Sequence, residues 1–433
     1  MLAAFFITLL LTDGVSPCDR SYRDLLHFLN LTQKTDLLAM TRPVKNHSEP
    51  TEVELDMLLY AILDVKEKEQ KFMSYVWIDL YWKDEYIQWK QEDFCNITHI
   101  SLPTQLLWKP DIAIIEMTEK NKVTQSPYLR IFYNGRALLK IDMVLITTCK
   151  LQVYKFPFDT QSCNLTFKSV IHKDYEIQLV LFNNSKWTTN WSKEMTGTQS
   201  DWLLISITSI KGAIHKYGIS RSLVVYTITM KRRPVLYIVN FILPVMLFLC
   251  LDLASFMISE SGGEKLSFKV TVLLAVTVMQ LILNEILPSS SDKIPVIVVF
   301  CIGIFGLMML SLLETILVMH LMEKDSVSKE SGADKDQNQS VQRLLCCSGS
   351  AGETPSQLLP LARQVSSGQL TGESHDSEKE VMTGSSRKED GPIGYWTRMA
   401  KAINKVFFIF YLTTVCLFVV SMFYSWIKEE EEM

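Results

Sequence analysis

Residues 264–287 read EKLSFKVTVLLAVTVMQLILNEIL, and what this stretch can be decides what the rest of the chain must be. It is long enough to cross a bilayer core, which takes about 20 residues at ~1.5 Å each. Glu264, Ser267, Thr271, Leu274, Val278, Ile282 and Glu285 recur at steps of three and four, so they share one helix face. In order, that face is carboxylate, hydroxyl, hydroxyl, leucine, valine, isoleucine, carboxylate. The intervening faces, with Phe268, Val272, Leu273, Val276 and Leu283, are apolar and suited to neighbouring helices.

Acids at both ends, small hydroxyls near one end and an apolar belt between them are what a cation pore with a dewettable gate needs. One helix encloses nothing, so this reading requires several copies around an axis. The alternative is a bundle helix whose Ser and Thr bond to their own backbone. Spacing alone leaves both open.

The chain has 433 residues, room for two or three domains, and 48% of them are hydrophobic. A net charge of -4 argues against a nucleic-acid partner. The apolar residues concentrate in an N-terminal run and in four long runs after residue 234. Residues 1–16, MLAAFFITLLLTDGVS, read as a secretory signal peptide: an apolar core too short to span, followed by small residues, with a weak n-region.

Residues 18–233 change character. Short β-branched and aromatic runs (VELDMLLYAI, MSYVWIDLYW, YLRIFY, LVVYTITM) alternate with polar residues and are punctuated by turn formers such as Asn134-Gly135. That pattern predicts an extracellular all-β immunoglobulin-like sandwich, with helical spacing only near Ser21–Leu29. Sequons at Asn30, Asn46, Asn96, Asn164, Asn183 and Asn190 all precede the first membrane run, as glycosylation of an exported domain requires. Export also favours disulfides. Bonding Cys149 to Cys163 would close a short loop worth about 3 kcal/mol in the chain-entropy model. Zinc binding by that pair fits less well, because no second Cys or His pair stands at ligand spacing. Cys18 and Cys95 are open to pairing or to staying free.

The apolar runs predict a four-helix transmembrane bundle with spans at Val235–Ile258, Glu264–Leu287, Ile294–Met322 and Lys405–Ile427. The first carries Pro244 and Asp252, the third Glu314 and His320. With the N-terminus exported, four spans return the tail 428–433 to the outside. Residues 323–404 then face the cytoplasm, Ser-, Gly- and charge-rich and expected to be largely disordered, with the sequon at Asn338 unused. Near the membrane, residues 395–405 (YWTRMAKAINK) regain helical spacing and a basic face, suited to an inner-leaflet anchor or a lateral portal.

Cys149 and Cys163, with thirteen residues between them that include Phe156-Pro157-Phe158-Asp159, resemble the signature loop of the Cys-loop pentameric ligand-gated ion channels. Trp108-x-Pro110-Asp111, Arg232-Arg233-Pro234 and four apolar runs in the right order support the resemblance, which covers about 20–323 and 395–427. EDFCNIT, FPFDTQSCNLTF, KRRP and GEKLSFKVTVLL look most like the serotonin type-3 receptor subfamily, and the zinc-activated channel is similar in layout.

The resemblance implies a homo- or heteropentamer in the plasma membrane, at a postsynaptic site among others, opened by a small extracellular ligand and passing monovalent cations. Glu264 would form the inner selectivity ring, Ser267 and Thr271 the narrow lining, Leu274 the gate, with Val278 and Ile282 above it and Glu285 as outer ring. Anion-conducting relatives carry a Pro-Ala insertion before this helix; here Gly263-Glu264-Lys265 stands instead. Gating would pass from Phe156, Pro157 and Asp159 and the turn 64–69 to the linker 288–295, ending at Pro295. Arg232 is placed to pair with an acid such as Asp159 or, as the alternative, to anchor at the lipid interface. Membrane lipids are the remaining partner; the reading includes no cofactor, no resident metal and no enzyme chemistry.

At the expected ligand site the resemblance falters. Trp77 matches the complementary-face tryptophan, and Glu116 the acidic position after Trp108-Lys109-Pro110-Asp111. Val170 stands where a key tryptophan is expected, and Arg221 replaces the late tyrosine of the capping loop that carries His215 and Tyr217. Arg130 and Lys140 replace complementary tyrosines, and Asp79 replaces an arginine. A box so altered should repel a primary ammonium, since cation–π attraction needs the rings. His172 and His215 offer a proton- or zinc-sensing alternative, against the ordinary reading of solvated surface histidines. The chain is therefore expected to be a ligand-gated channel subunit, with three alternatives open: an accessory or non-conducting subunit, a homomer gated by zinc, protons or another small ligand, and a serotonin site built differently.

Overall fold

The computed structural model describes residues 20–31, 37–119, 124–196, 201–258, 263–287, 293–345 and 395–428. The signal 1–16, Cys18 and most of the linker 288–295 lie outside them, as do residues 346–394 and the tail beyond Lys428. The chain divides into two compact units, one of residues 1–248, 275–304 and 420–433, the other of 249–274 and 305–419.

The first unit holds a sandwich of two sheets. One is built from β1 (Thr51–Lys66), β2 (Lys71–Lys83), β3 (His99–Pro103), β5 (Met117–Glu119), β6 (Thr124–Gln125), β7 (Tyr128–Phe132), β8 (Arg136–Thr148) and β10 (Ile177–Leu181), in the path β10-β1-β2-β8-β7-β3. The other orders β11 (Trp202–Lys216), β12 (Ile219–Arg232), β9 (Thr160–Ser169) and β4 (Ile112–Ile114). Period-two burial produces the layers. Along β2, Phe72, Val76, Ile78, Leu80 and Trp82 are buried, whereas Tyr75, Trp77, Asp79 and Tyr81 are only partly so. Inner residues of both sheets, among them Val53, Leu55, Phe72, Leu165, Phe167 and Val224, form one core, and the Tyr226 hydroxyl donates across it to the Leu55 carbonyl at 3.1 Å.

Two turns show their chemistry. Gly135 has φ 82°, and a Cβ there would stand 2.4 Å from the Asp84 carbonyl oxygen, so the Asn134-Gly135 turn has room for nothing larger. The β11–β12 hairpin closes on Tyr217 and Gly218, both with positive φ, as a two-residue turn demands.

The Cys149–Cys163 disulfide is formed, with Cα atoms 5.3 Å apart. Cys95, whose pairing sequence leaves open, is disulfide-bonded as well. The helix at Tyr22–Phe28 falls within the expected stretch; a second, Ser185–Met195, does not. There the Asn184 side chain accepts from the Trp187 N–H as an N-cap, which overrides the β-preferring Trp and Thr of KWTTNWS.

Four helices are long and apolar enough to cross a membrane: Val235–Met257, Glu264–Ile286, Val296–Lys324 and Tyr395–Ile427. The first contains a widened π-type turn at Ile238–Ile242, beside Pro244, which has no N–H to offer the ladder. Two boundaries differ from expectation. The third helix continues to Leu345, through residues expected to be disordered, because that segment has a single glycine, no proline and many helix formers. The fourth runs unbroken from Tyr395 to Lys428, so the basic segment 395–405 is its first three turns and not a separate helix.

Candidate functional site

Three regions hold the sequence-predicted residues. On the second span, Glu264, Ser267, Thr271, Leu274, Val278, Ile282 and Glu285 are all exposed. Leu274 remains 64% exposed, although the opposite face, with Val272, Val276 and Leu283, is buried within the chain. Thr271 donates to the Ser267 carbonyl at 2.9 Å, the bond an ordinary bundle helix would also make. That bond does not cover the stripe.

The buried face carries something that periodicity did not reveal. Lys265 and Lys269 are 3% and 2% exposed, facing away from the stripe. Lys269 lies 3.9 Å from Asp252 of the first span, donates to the Ser311 carbonyl at 3.1 Å and bonds the Ser311 hydroxyl. Ser311 and Tyr411 donate to the two Asp252 oxygens at 3.1 and 2.7 Å. The four spans of that unit are thus joined by one buried charge network, as intramembrane ions require. The available signal was the lysine pair at an (i, i+4) spacing together with Asp252.

The second region centres on Arg232, the last residue of β12, whose position in the alternation is a buried one. Its Nε and Nη2 donate to the two Asp159 oxygens at 2.8 and 3.2 Å, Nη2 also donates to Glu67, and Nη1 reaches the Tyr237 hydroxyl at 3.4 Å. The Trp202 and Phe156 rings lie 4.2 and 4.9 Å from the guanidinium. Burial would lower its pKa, but the bonds and charges of Asp159 and Glu67 more than reverse this, so it stays charged. The Phe156-Pro157 bond is cis.

Around this cluster the remaining coupling candidates assemble. Val296 donates to the Tyr154 carbonyl at 2.9 Å, Pro295 is buried, and Phe158 packs edge-on against Trp426 at 5.7 Å. A cavity of about 680 Å³ is lined by residues 62–69, Asp201, Trp202, Arg232, Tyr237, Glu285 and Ile286.

The third region is the expected ligand face. Trp77 stacks on Tyr60 at 5.0 Å, and Asp79 pairs with Lys140 at 3.3 Å, while Arg130 is exposed on β7. On the other sheet, Glu116 accepts from the Thr166 N–H and hydroxyl at 2.7 and 2.6 Å, pinning β9 and leaving its carboxylate occupied. Val170 is 54% and Tyr217 90% exposed, with no ring in place of the expected tryptophan. His172 Nδ1 lies 2.8 Å from Asp111, which also accepts from Ser169 and the Ile171 N–H. Burial raises the Asp111 pKa, but these bonds outweigh it and hold the carboxyl below its usual range.

His215 is exposed on β11. The Arg221 Nε is buried without a hydrogen-bond partner among the described residues. The Asp174 N–H donates to the Ser220 carbonyl at 3.1 Å, holding the 170–176 loop to the hairpin. Among the described residues no group of three or more His, Cys, Asp and Glu is placed to hold a metal ion.

Of the sequon asparagines, Asn30, Asn46, Asn96, Asn164 and Asn190 are exposed. Asn183 is half-buried and donates its amide to Asp56 at 2.9 Å, a bond a glycan would disturb. Asp56 itself is 8% exposed, faces Asp79 across the β1–β2 ladder, and has one oxygen with no hydrogen-bond partner among the described residues. Burial pushes its pKa up to about 6.

Comparison with known proteins follows this architecture. Residues 30–234 match the neurotransmitter-gated ion-channel ligand binding domain, and residues 241–394 match the transmembrane region of the same channels. The mouse 5-hydroxytryptamine receptor 3A is 32% identical over 336 residues, 76% of this chain and 68% of the mouse protein. The human 5-hydroxytryptamine receptor 3E is 33% identical over 284 residues, 65% of this chain and 61% of its own length. The human neuronal acetylcholine receptor subunit alpha-9 is 31% identical over 286 residues, 65% of this chain and 58% of that one. The chain thus spans about two thirds of the length of the curated relatives it matches. With an extracellular sandwich, a closed Cys149–Cys163 loop and four membrane-spanning helices, it belongs to the neurotransmitter-gated ion channels, as a plasma-membrane receptor subunit related to the 5-hydroxytryptamine type-3 receptors and not as an enzyme.

Proposed function

We propose that this chain is one subunit of a pentameric, cation-selective channel opened by a small extracellular ligand. The observation that carries the reading is the uncovered stripe of the second span: two carboxylates, two hydroxyls and an apolar belt that the chain's own helices leave exposed. Copies of that face around an axis make a charged vestibule at each end and a dewettable girdle between them. Glu264 and Glu285 concentrate cations, Ser267 and Thr271 line the narrow part, and Leu274, Val278 and Ile282 close it. Ligand binding is relayed through the Arg232 cluster and the Cys149–Cys163 loop to the end of the pore helix. The test is recording from cells expressing the chain alone, then with a 5-hydroxytryptamine receptor 3A subunit, while 5-hydroxytryptamine, other amines, zinc and acid are applied in turn. Ligand-evoked current whose reversal potential follows the cation gradient supports the reading. Current that follows chloride overturns it.

A second reading, an accessory subunit of heteromers, is favoured by the ligand face. Val170 supplies no ring, while Arg221, Arg130 and Lys140 bring positive charge where an ammonium would sit. Silence of the chain alone, with altered current beside the partner, selects that reading. A zinc-gated homomer has less support, because the ring nitrogen of His172 nearest Asp111 is already engaged.

A further inference from the structure

Cys95 caps the short 3-10 helix Gln91–Phe94 and is disulfide-bonded within the chain. Its backbone and that of Asn96 are both left-handed, with φ 53° and 56°. Consecutive non-glycine residues persist in that region only where their surroundings hold them there. Here the surroundings include the N-terminal segment. The Arg20 carbonyl oxygen lies 2.9 Å from the Cys95 sulfur. The Arg20 guanidinium donates to the Asp93 carbonyl at 3.4 Å and lies 5.4 Å from the Phe94 ring. Phe28 packs on the same ring at 5.2 Å, and the Ser101 N–H donates to the Tyr22 hydroxyl at 3.0 Å. The helix Tyr22–Phe28 thus sits against the turn that carries Cys95, and Leu25 is the one residue it buries. Seven residues with so little burial do not hold a helix on their own.

The sequence contains nine cysteines. Cys149 and Cys163 hold each other, and Cys250, Cys301 and Cys416 are free. That leaves Cys18, Cys346 and Cys347 as partners for Cys95. Cys346 and Cys347 follow the third span, and an odd number of crossings sets them across the membrane from the sandwich, where thiols stay reduced. Cys18, which lies outside the described residues, stands two residues before Arg20, a reach of about 7 Å. Bridged Cα atoms need about 4.4–6.8 Å.

We infer that Cys18 and Cys95 form a second disulfide, which fastens the N-terminal helix to the Gln91–Phe94 turn. Its formation moves two electrons and two protons from the two thiols to the disulfide of an oxidoreductase in the secretory compartment, which leaves as a dithiol. The bond supplies what the helix's own burial does not. It also requires the signal segment to be cut before Cys18, since a later cut would strand the Cys95 thiol.

The test uses the full chain, made in a eukaryotic cell and purified without reductant. The protein is alkylated, deglycosylated and digested, and its peptides are mapped by mass spectrometry. One cross-linked pair joining the Cys18 and Cys95 peptides is expected, separating on reduction with a gain of two hydrogens. On intact cells, Cys18→Ser and Cys95→Ser should each gain one site for a membrane-impermeant maleimide, and the double variant should lose it again. Should the single variants fail to reach the surface, the wild-type peptide map still decides. In the double variant, hydrogen exchange at residues 20–31 should speed up by roughly tenfold or more, with strand Lys71–Lys83 unchanged. A wild-type Cys95 found alkylated, joined to another cysteine or joined to a second copy of the chain overturns the inference, as does a mature N-terminus beyond Cys18. Unchanged exchange at residues 20–31 overturns the fastening role.

Discussion

Arg232 and Asp159 form a buried ion pair, Nε to Oδ1 at 2.8 Å, with both side chains 1% exposed. The guanidinium is the last side chain of the sandwich before the first span begins at Val235, and the carboxylate belongs to the disulfide loop. Gln161 donates to the same carboxylate at 2.6 Å, so no oxygen is left bare. A pair this dry is held by geometry, and half of it is worse than none.

Arg232→Gln should therefore cost about 3–5 kcal/mol by stranding Asp159 and Glu67. Surface biotinylation is expected to show little mature protein. Arg232→Lys keeps the charge but not the planar fork, so it should reach the surface and open poorly. Wild-type expression and gating in Arg232→Gln would remove this cluster from the coupling route.

The Tyr411 hydroxyl donates to Asp252 at 2.7 Å inside the bundle. Tyr411→Phe should cost about 1.5–3 kcal/mol, the range for a bond to a charged group. Asp252→Asn and the double variant complete a cycle read by thermal melting in detergent, where contacting residues couple by about 0.5–3 kcal/mol. Simple additivity would show that the hydroxyl contributes nothing to holding the carboxylate.

Asp56 makes the extracellular domain pH-dependent. Its folded pKa of about 6 lies above its ordinary 3.8, so the fold prefers the protonated acid. This contribution to stability is fully present below pH ~3.8 and lost as pH rises through about 6, a difference of about 3 kcal/mol at neutral pH. Asp56→Asn should raise the melting temperature of the full chain at pH 7.5, and the advantage should shrink toward pH 4. An advantage that does not change with pH would assign the effect to packing.

For the pore stripe, Glu264→Ala should reduce the preference for cations over anions, read from reversal potentials under salt dilution. Leu274→Ser should ease opening by wetting the girdle, seen as leak current or a shift to lower agonist concentration. Reversal potentials that do not move would sink the assignment of Glu264, and an unaltered dose–response would sink that of Leu274.

Much of this was written in local pattern. Periods of two and of three-to-four residues locate the sandwich strands, the spans and the exposed stripe, because burial on one face imposes them directly. Partners across the chain are harder to read. Lys265 and Lys269 look like flanking charges in a linear string; only the arrangement of Asp252, Ser311 and Tyr411 shows why Lys269 can be buried. The parallel pairing of β1 with β10 joins residues about 125 positions apart, such as Thr51 and Ile177, which no window of sequence contains. His172 reads in the sequence as a solvated surface histidine or, alternatively, a sensor; only the structure puts Asp111 beside it. The helix at Ser185–Met195 has its signal in Asn184, set against the strand preference of the tryptophans and threonines around it.

Glu264 and Lys265 are neighbours in the chain, but one is exposed with the stripe and the other is buried behind it. Successive residues of a helix point about 100° apart. In the proposed pore, the sign of the charge presented to the axis would thus be an angular property of a rotating rod. Turning it by a single residue's step would exchange a carboxylate for an ammonium at the same height. The bonds that Lys269 makes one turn further on oppose that rotation, so in the proposed pore ionic preference would be stored as azimuth.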